Sequence, residues 1–157
     1  MTDLVMRFPN GTPMQISAGT AIPNSLAFVL DIPKADTVFP ICQVRADITI
    51  TKITATIKGG TSYTFNVEAR PAAALNSSGT DVLTGDLTAD QNGEMSTSFN
   101  LATISAGSFL VLAGSGIDGS VEQVVIEIDY TSTVMTDNFA TLTQFETLKK
   151  LVVLQMG

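Results

Sequence analysis

The sequence contains no histidine, no tryptophan and a single cysteine among 157 residues. The absence of histidine excludes Ser-His-Asp triads, Cys-His pairs and histidine-based metal centres. Cys42 has no partner for an internal disulfide, so the fold needs no oxidising compartment, and we expect a small, buried, apolar side chain there. We therefore predict a protein that is not an enzyme and that uses no cofactor.

Charge and long apolar runs are also scarce. Charged residues make up 15% of the chain, against about 25% in typical domains, and the net charge of -7 disfavours binding to nucleic acid. The longest uncharged apolar runs, at 26–30 and 151–154, are far shorter than the roughly 20 residues that span a bilayer. Asp3, Arg7 and Pro9 interrupt the N-terminus, so we expect neither a secretion signal nor a membrane segment.

Threonine, valine, isoleucine and phenylalanine are plentiful, and they favour half-buried, pleated sheets. The sequence therefore predicts an all-β fold. Alternation of apolar and polar residues locates the strands. They are expected at residues 26–32, 53–58, 63–70, 97–101, 108–113 and 121–131. Gly59 and Gly60 accept positive φ, so the turn at 59–62 predicts a hairpin between two of these strands.

The alternation slips near Lys52. Ile48 and Ile50 lie in one phase, and Ile53 and the apolar residues after it lie in the other. A β-bulge near Thr51 and Lys52 would add one residue and restore the alternation. The alternative is a strand that crosses from one sheet to the other at this point. In either case we expect Lys52 to point to solvent and to carry no chemistry.

Proline and helical patterning divide the chain into three parts. Residues 1–43 hold five prolines and read as an extended arm with one strand, and residues 44–133 form the β domain. In residues 134–157, Thr143 and Glu146 fit a capping box that opens a short C-terminal helix. This helix is too apolar to lie bare in water, so we expect it to pack on its own domain or on another chain. The proposed contact residues are Phe145, Leu148, Leu151, Val152 and Leu154.

Two motifs suggest ligands, and both have simpler interpretations. Residues 114–119, GSGIDG, match a dinucleotide-binding fingerprint, but the residues that follow alternate as a strand instead of opening a helix. Asp81, Asp86 and Asp90 lie in a turn-rich acidic stretch that offers oxygen ligands to Ca²⁺, although the spacing does not fit an EF-hand. We expect solvated loop carboxylates there and name these three residues as weak calcium candidates only.

A resemblance to a known family rests on several stretches of the β domain. They are the "ITKITA" strand, the "GGTSYTFNVE" segment, the "GTDVL" and "LTAD" turns, the "LVL" strand after "AG", and the closing "VVIEIDYT". Together these stretches, from Val44 to Thr133, resemble a β module of tailed-bacteriophage virion proteins of the fibre and capsid-decoration types. The resemblance implies a jelly-roll-like antiparallel β-sandwich, a homotrimer and a virion location after assembly in bacterial cytoplasm.

Three functions follow as hypotheses. The first is an outer capsid decoration or cement protein that binds the major capsid protein as a symmetric oligomer. The second is a head- or tail-fibre subunit whose loops at 75–95 and 113–120 bind a host receptor, since binding often depends on loops over a rigid scaffold. The third is a carbohydrate-binding module or calcium-dependent adhesin, which the lack of tryptophan disfavours.

Overall fold

The structure is a computed structural model that describes residues 4–7, 13–16 and 21–133. The chain divides into two compact units. One unit is Ala21–Thr133, and the other combines Met1–Thr20 with Val134–Gly157. The C-terminal helix and the subunit contacts expected within residues 134–157 lie outside the described residues. No helix in the described ranges is long and apolar enough to cross a membrane.

Twelve strands and one short 3-10 helix, Ala72–Ala74, make up the described structure. In the smaller unit, β1 pairs antiparallel with β2. The strands in chain order are β1 (Leu4–Arg7), β2 (Pro13–Ile16), β3 (Ala21–Asp31), β4 (Val38–Gln43), β5 (Ile48–Gly59), β6 (Ser62–Arg70), β7 (Thr80–Asp81), β8 (Leu87–Ala89), β9 (Glu94–Ser96), β10 (Thr103–Ile104), β11 (Phe109–Asp118) and β12 (Val121–Thr133).

Two antiparallel sheets form the larger unit. The first has the order β10-β5-β12-β3, with β9 beside β5, and the second has the order β4-β11-β6-β7, with β8 beside β6. Apolar side chains from both sheets form one core, because each sheet must bury its apolar face against another layer. The predicted all-β sandwich is therefore confirmed.

Three chain segments each contribute one strand to the first sheet and one strand to the second. They are β3–β4, β5–β6 and β11–β12. Strand β5 pairs with β12 while its successor β6 pairs with β11, so β5–β6 and β11–β12 form one long antiparallel ribbon that folds over. Strands β3 and β4 follow the outer side of the same ribbon, against β12 and β11 respectively. A folded ribbon of this kind gives the sandwich its jelly-roll-like character.

The hairpin predicted at residues 59–62 is wrong. The turn does reverse the chain, but it carries it from one sheet into the other, so β5 and β6 do not pair with each other. Gly59 and Gly60 have φ values of 73° and 64°. A Cβ on Gly60 would lie 2.8 Å from the Val121 nitrogen, so glycine is needed here both for its positive φ and for the close approach of the two chains.

The central strand β12 shows why the two sheets hold together. Val124, Ile126 and Ile128 alternate along it and are fully buried, as the sequence pattern predicts. Burying one such side chain contributes roughly 1.5–3 kcal/mol. Opposite them in the core lie Tyr63 and Phe65 of β6, whose rings stack with centroids 5.9 Å apart.

The phase slip near Lys52 is a β-bulge, the first of the two predicted arrangements. Asp129 faces Lys52 and Tyr130 faces Ile50, which leaves Thr51 as the extra residue on β5. Ile50 and Ile53 are 2% and 0% exposed, whereas Thr51 is exposed. The alternative, a strand that changes sheets at this point, is excluded because residues 48–59 belong to a single strand.

Residues 21–43 belong to the sandwich. The strand expected at 26–32 is the longer β3, whose residues pair with β12 from Thr133↔Ala21 to Gln123↔Asp31. The compact unit therefore begins at Ala21 and not at Val44. Prolines do not prevent this arrangement, because proline is tolerated in edge strands, where fewer backbone N–H groups are required for pairing.

The segment after β6 lies along the outer edges of both sheets. Strands β7 and β8 pair with β6, and β9 and β10 pair with β5. The strand expected at 97–101 is wrong, because only Phe99 forms a bridge there, to Leu83. This segment alternates too briefly for periodicity to locate its strands.

Candidate functional site

Asp86 is part of a hydrogen-bond network. Its Oδ1 accepts a bond of 3.1 Å from Asn66 Nδ2, and its Oδ2 accepts one from the hydroxyl of Ser115. Ser115 is the extra residue of a bulge in β11. Asn66 is only 4% exposed, and its Oδ1 accepts backbone N–H bonds from Val67 and Leu83 at 2.9 and 3.1 Å. The network fixes the loop before β8 onto β6.

A second network holds the loop at 71–79. Arg70, 6% exposed, donates from Nε to Glu68 Oε2 at 2.8 Å and from Nη1 to the Leu75 carbonyl at 2.8 Å. The backbone N–H of Gly79 donates to the same Glu68 oxygen at 2.6 Å. A buried guanidinium needs such a paired carboxylate, because an unpaired charge in the interior is strongly destabilising. The pair therefore serves the fold.

Asp81 lies between the two networks, where the ionised form of its side chain is disfavoured. Desolvation raises its pKa, and the negative charges of Glu68 and Asp86 raise it further. Three carboxylates near one another would attract a cation. However, no group of three or more Asp, Glu, Cys or His residues in the described ranges is arranged to hold a metal ion.

Asp90 lies apart from the other two calcium candidates and stabilises a turn. Its Oδ1 accepts backbone N–H bonds from Asn92 at 2.7 Å and Gly93 at 3.1 Å. These bonds favour the ionised form, so they lower the pKa of Asp90. Gly93 has a φ of 89°, which fits the Asn-Gly turn in the sequence. The structure does not bring Asp81, Asp86 and Asp90 together.

The GSGIDG motif lies within a strand. Residues 114–118 are the end of β11, and Gly119 turns the chain into β12. No helix follows to offer its N-terminus to a pyrophosphate group. Glycine is needed at position 114 because a Cβ there would collide with the hydroxyl of the fully buried Tyr63. Burial raises the pKa of that hydroxyl, and a contact with the side chain of Thr37 offsets part of the rise.

Lys52 pairs with a carboxylate on the outer face of the first sheet. Its ammonium group lies 2.8 Å from Asp129 Oδ2. This contact raises the pKa of Lys52 and lowers that of Asp129. The Lys52 side chain is 40% exposed, so it reaches solvent as expected, and its charge is neutralised by a neighbour.

A shallow groove of about 460 Å³ lies beside the bulge. It offers hydroxyl, amide, carboxylate and phenol groups, which suit polar contacts better than catalysis. The carboxylate of Asp129 in this groove is paired with the ammonium group of Lys52. The lining residues of the groove are Pro23, Asn24, Ser25, Thr51, Asp129 and Tyr130.

Cys42 is half-buried in the edge strand β4. Burial raises the pKa of its thiol. Less thiolate is then present at neutral pH, and the thiolate is the reactive form. The environment is therefore that of an unreactive packing residue, which agrees with the expected small apolar role, although the side chain is less buried than expected.

The most unusual surface of the described residues lies at the outer side of β3 and β4. Four large apolar side chains are exposed there: Val29, Ile32, Val38 and Phe39. Sequence reasoning missed this surface, because alternation places Val29 on one face of a strand without showing that the strand lies at the edge of its sheet. The uncharged run at 26–30 was the available signal.

Comparisons with known proteins give no family. Neither a protein-family profile nor a curated protein sequence matches the chain. Among solved structures, it is similar to "Bacillus endospore appendages form a novel family of disulfide-linked pili", with a TM-score of 0.39 and 10% identity over 76% of this chain and 96% of that one.

Two viral structures are also similar. "Cyanophage Pam1 capsid asymmetric unit" gives a TM-score of 0.33 and 11% identity over 77% of this chain and 91% of that one. "Structure of infectious bursal disease virus Gx strain" gives 0.31 and 7% over 83% of this chain and 41% of that one. These similar structures are of pili, a phage capsid and a virus. At such low TM-scores and identities the likenesses carry no evidence of a shared function.

Proposed function

We propose that the chain is a non-enzymatic structural protein of a tailed-phage virion, an outer decoration or cement protein that binds the capsid as a homotrimer. The observation that supports a structural role is that the buried polar groups hold loops in place. Asn66 and Arg70, the buried polar and charged residues of the described ranges, both tie loops to β6. The resemblance of residues 44–133 to a virion β module supports the phage assignment.

The C-terminal segment supplies the subunit contact in this proposal. The apolar residues Phe145, Leu148, Leu151, Val152 and Leu154 would be covered by neighbouring copies, since an apolar surface of this kind is stable only when buried. The chain's low charge density also suits a protein that buries much of its surface against its own copies.

Sedimentation of the full chain tests the subunit contact. Changing both Leu148 and Val152 to Asp should convert the oligomer to smaller species, because two charges would enter an apolar interface. The control changes Gln144 and Gln155 to Asp, which adds the same charge at polar positions and should leave the oligomer intact. A Leu148 and Val152 double variant that sediments like the parent would exclude this contact.

Antibody labelling of purified phage particles tests the location. Antibodies raised against the chain should label the head of the phage that encodes it, at many evenly spaced positions. Label confined to the tail would replace decoration with a fibre role. Particles without label would contradict a virion location of either kind.

A further inference from the structure

Asn92 and Gly93, in the turn between β8 and β9, form a pair that is prone to deamidation. The backbone nitrogen of a glycine can attack the side-chain carbonyl carbon of a preceding asparagine, because glycine has no Cβ to hinder the approach. Asn92 is exposed, so water reaches its side chain. The turn therefore contains the groups that spontaneous loss of the side-chain amide requires.

The reaction needs only water and a base. The Gly93 nitrogen gives its proton to hydroxide or buffer and forms a bond to Cγ of Asn92. The bond from Cγ to Nδ2 breaks, Nδ2 leaves as ammonia, and a cyclic imide is closed. Water then opens the imide at one of its two carbonyl carbons. The product is aspartate, or isoaspartate with one more carbon atom in the backbone.

The carboxylate of Asp90 binds both groups that would have to react. Its Oδ1 accepts the N–H of Gly93, the attacking nitrogen, at 3.1 Å. Its Oδ2 accepts a bond of 3.2 Å from Nδ2 of Asn92, the leaving group. Removal of the Gly93 proton would place a second negative charge beside the carboxylate, so the bound N–H form is favoured.

The backbone of the turn is also held by the neighbouring strand. The Asp90 carbonyl accepts the N–H of Ile57 at 3.1 Å and the hydroxyl of Thr56 at 3.4 Å. Gln91 donates from Nε2 to the Gly60 carbonyl at 2.9 Å. Rotating the chain so that the Gly93 nitrogen reaches Cγ of Asn92 would strain or break these bonds. The imide therefore forms when the turn opens, and opening is opposed by the fold.

We propose that Asn92 is a deamidation site and that the Asp90 carboxylate protects it in the folded chain. The inference goes beyond the proposed structural role and does not depend on it. Deamidation would replace the Nδ2 donor with a second carboxylate facing Asp90, and the two charges would repel each other. The turn joins β8 and β9, which belong to different sheets, so its protection preserves a connection between the two layers.

Ageing of the full-length chain in mildly alkaline buffer tests the protection. Peptide mapping by mass spectrometry measures aspartate and isoaspartate at position 92. The rate should be at least about tenfold lower in the folded chain than in the chain unfolded by guanidinium, because the reaction must wait for the turn to open. Asp90→Ala should raise the folded-state rate by about fivefold or more, since it removes the hydrogen bonds to the carboxylate.

Two further variants separate the local effect from a general loss of stability. Ile50→Val shortens a buried side chain at the part of β5 that pairs with Tyr130, away from the turn. It lowers overall stability and should leave the rate at Asn92 near that of the parent. Asp90→Asn keeps an oxygen acceptor without the charge and should give a rate between those of the parent and Asp90→Ala. It is the test variant if Asp90→Ala does not fold, as judged by circular dichroism.

Three results would overturn the inference. Equal rates in the folded and unfolded parent would show that Asn92 is not protected. An equal rise in Ile50→Val and the Asp90 variants would assign the protection to overall stability. A slower reaction in the Asp90 variants would show that the carboxylate acts as a base that promotes deamidation.

Discussion

At the scale of single residues, Ile32 is the most strained position in the described structure. Its φ is 49°, and it is the non-glycine residue with positive φ in the described ranges. A β-branched residue is disfavoured in this region because its Cβ approaches the following carbonyl group. Since its side chain is also 76% exposed, packing within the subunit does not offset the strain.

Ile32→Asn should therefore stabilise the isolated subunit. Asparagine tolerates positive φ, so the free energy of unfolding should rise by about 1–2 kcal/mol, measured by urea denaturation at concentrations where the chain is monomeric. Met95→Asn, at a position 63% exposed with ordinary φ, should not stabilise. A loss of stability in Ile32→Asn would show that the side chain makes an important contact.

Asp81 gives a pH dependence of defined sign. Its folded-state pKa is raised from 3.8 by desolvation and by the charges of Glu68 and Asp86. Its contribution to stability is therefore greatest below its ordinary pKa and is lost as pH rises through the folded pKa. Asp81→Asn should raise the melting temperature at pH 7 and leave it unchanged near about pH 3. An equal shift at both pH values would contradict the electrostatic cause.

Asp90 should behave in the opposite way and serves as the control for Asp81. Its pKa is lowered by N–H bonds from Asn92 and Gly93. Its contribution is therefore present above its ordinary pKa and lost as pH falls through the folded pKa. Asp90→Asn should lower the melting temperature at pH 7, and the difference should vanish in acid.

At the scale of elements, the bulge in β5 determines which side chains reach the core. Ile50 and Ile53 are separated by an odd number of positions, so a regular strand would place them on opposite faces. The extra residue Thr51 lets both enter the core. The phase slip in the sequence predicted either this bulge or a strand that crosses between sheets, and the pairing of β5 with β12 decides for the bulge.

Alanine substitutions test the bulge. Ile50→Ala and Ile53→Ala should each destabilise by about 2–5 kcal/mol, as buried large-to-small changes do. Thr51→Ala, between them, should cost less than about 1 kcal/mol because its side chain is exposed. Thermal and urea unfolding provide the measurement. A small effect at either isoleucine would mean that it lies on the outer face.

Which strands pair with each other was harder to predict than where the strands lie in the sequence. The turn at Gly59 and Gly60 was recognised, yet β5 and β6 belong to different sheets. Alternation shows which face of a strand is buried. It does not show whether the two strands joined by a tight turn pair with each other or lie in different sheets. The second turn, at Gly119, packs against the first, and this contact between distant residues decides the outcome.

The candidate sites show the same limit. Asp81, Asp86 and Asp90 are close in sequence, but the chain between them passes along β6 and then toward β5. Asp86 therefore joins a loop network, whereas Asp90 stabilises a turn. Their individual roles as turn and loop carboxylates were predictable from neighbouring Asn and Gly residues. Their separation in space depends on where β7 and β8 pair.

At the scale of the whole molecule, β3 and β4 decide where the stable unit begins. Strand β3 pairs with one side of β12, and β4 pairs with one side of β11. Phe28 and Leu30 pack against the core. A chain shortened to residues 21–133 should therefore unfold cooperatively, near the melting temperature of the parent. A chain shortened to 44–133 should fail to fold, because two central strands would become edges and lose apolar cover.

Circular dichroism melting and the dispersion of amide NMR signals would distinguish these outcomes. A folded, cooperative 44–133 chain would restore the boundary that the sequence suggested. An unfolded 21–133 chain would show that residues outside this range are required for its stability.

The sequence by itself determined the all-β class, the alternation of β12, the phase slip near Lys52 and the absence of histidine chemistry, because each depends on residue type or on neighbours within a few positions. Only the tertiary structure decided that the glycine turns carry strands between sheets and that β3 and β4 belong to the sandwich. These features depend on which distant segments share backbone hydrogen bonds and a core, and short-range periodicity carries no record of such pairing.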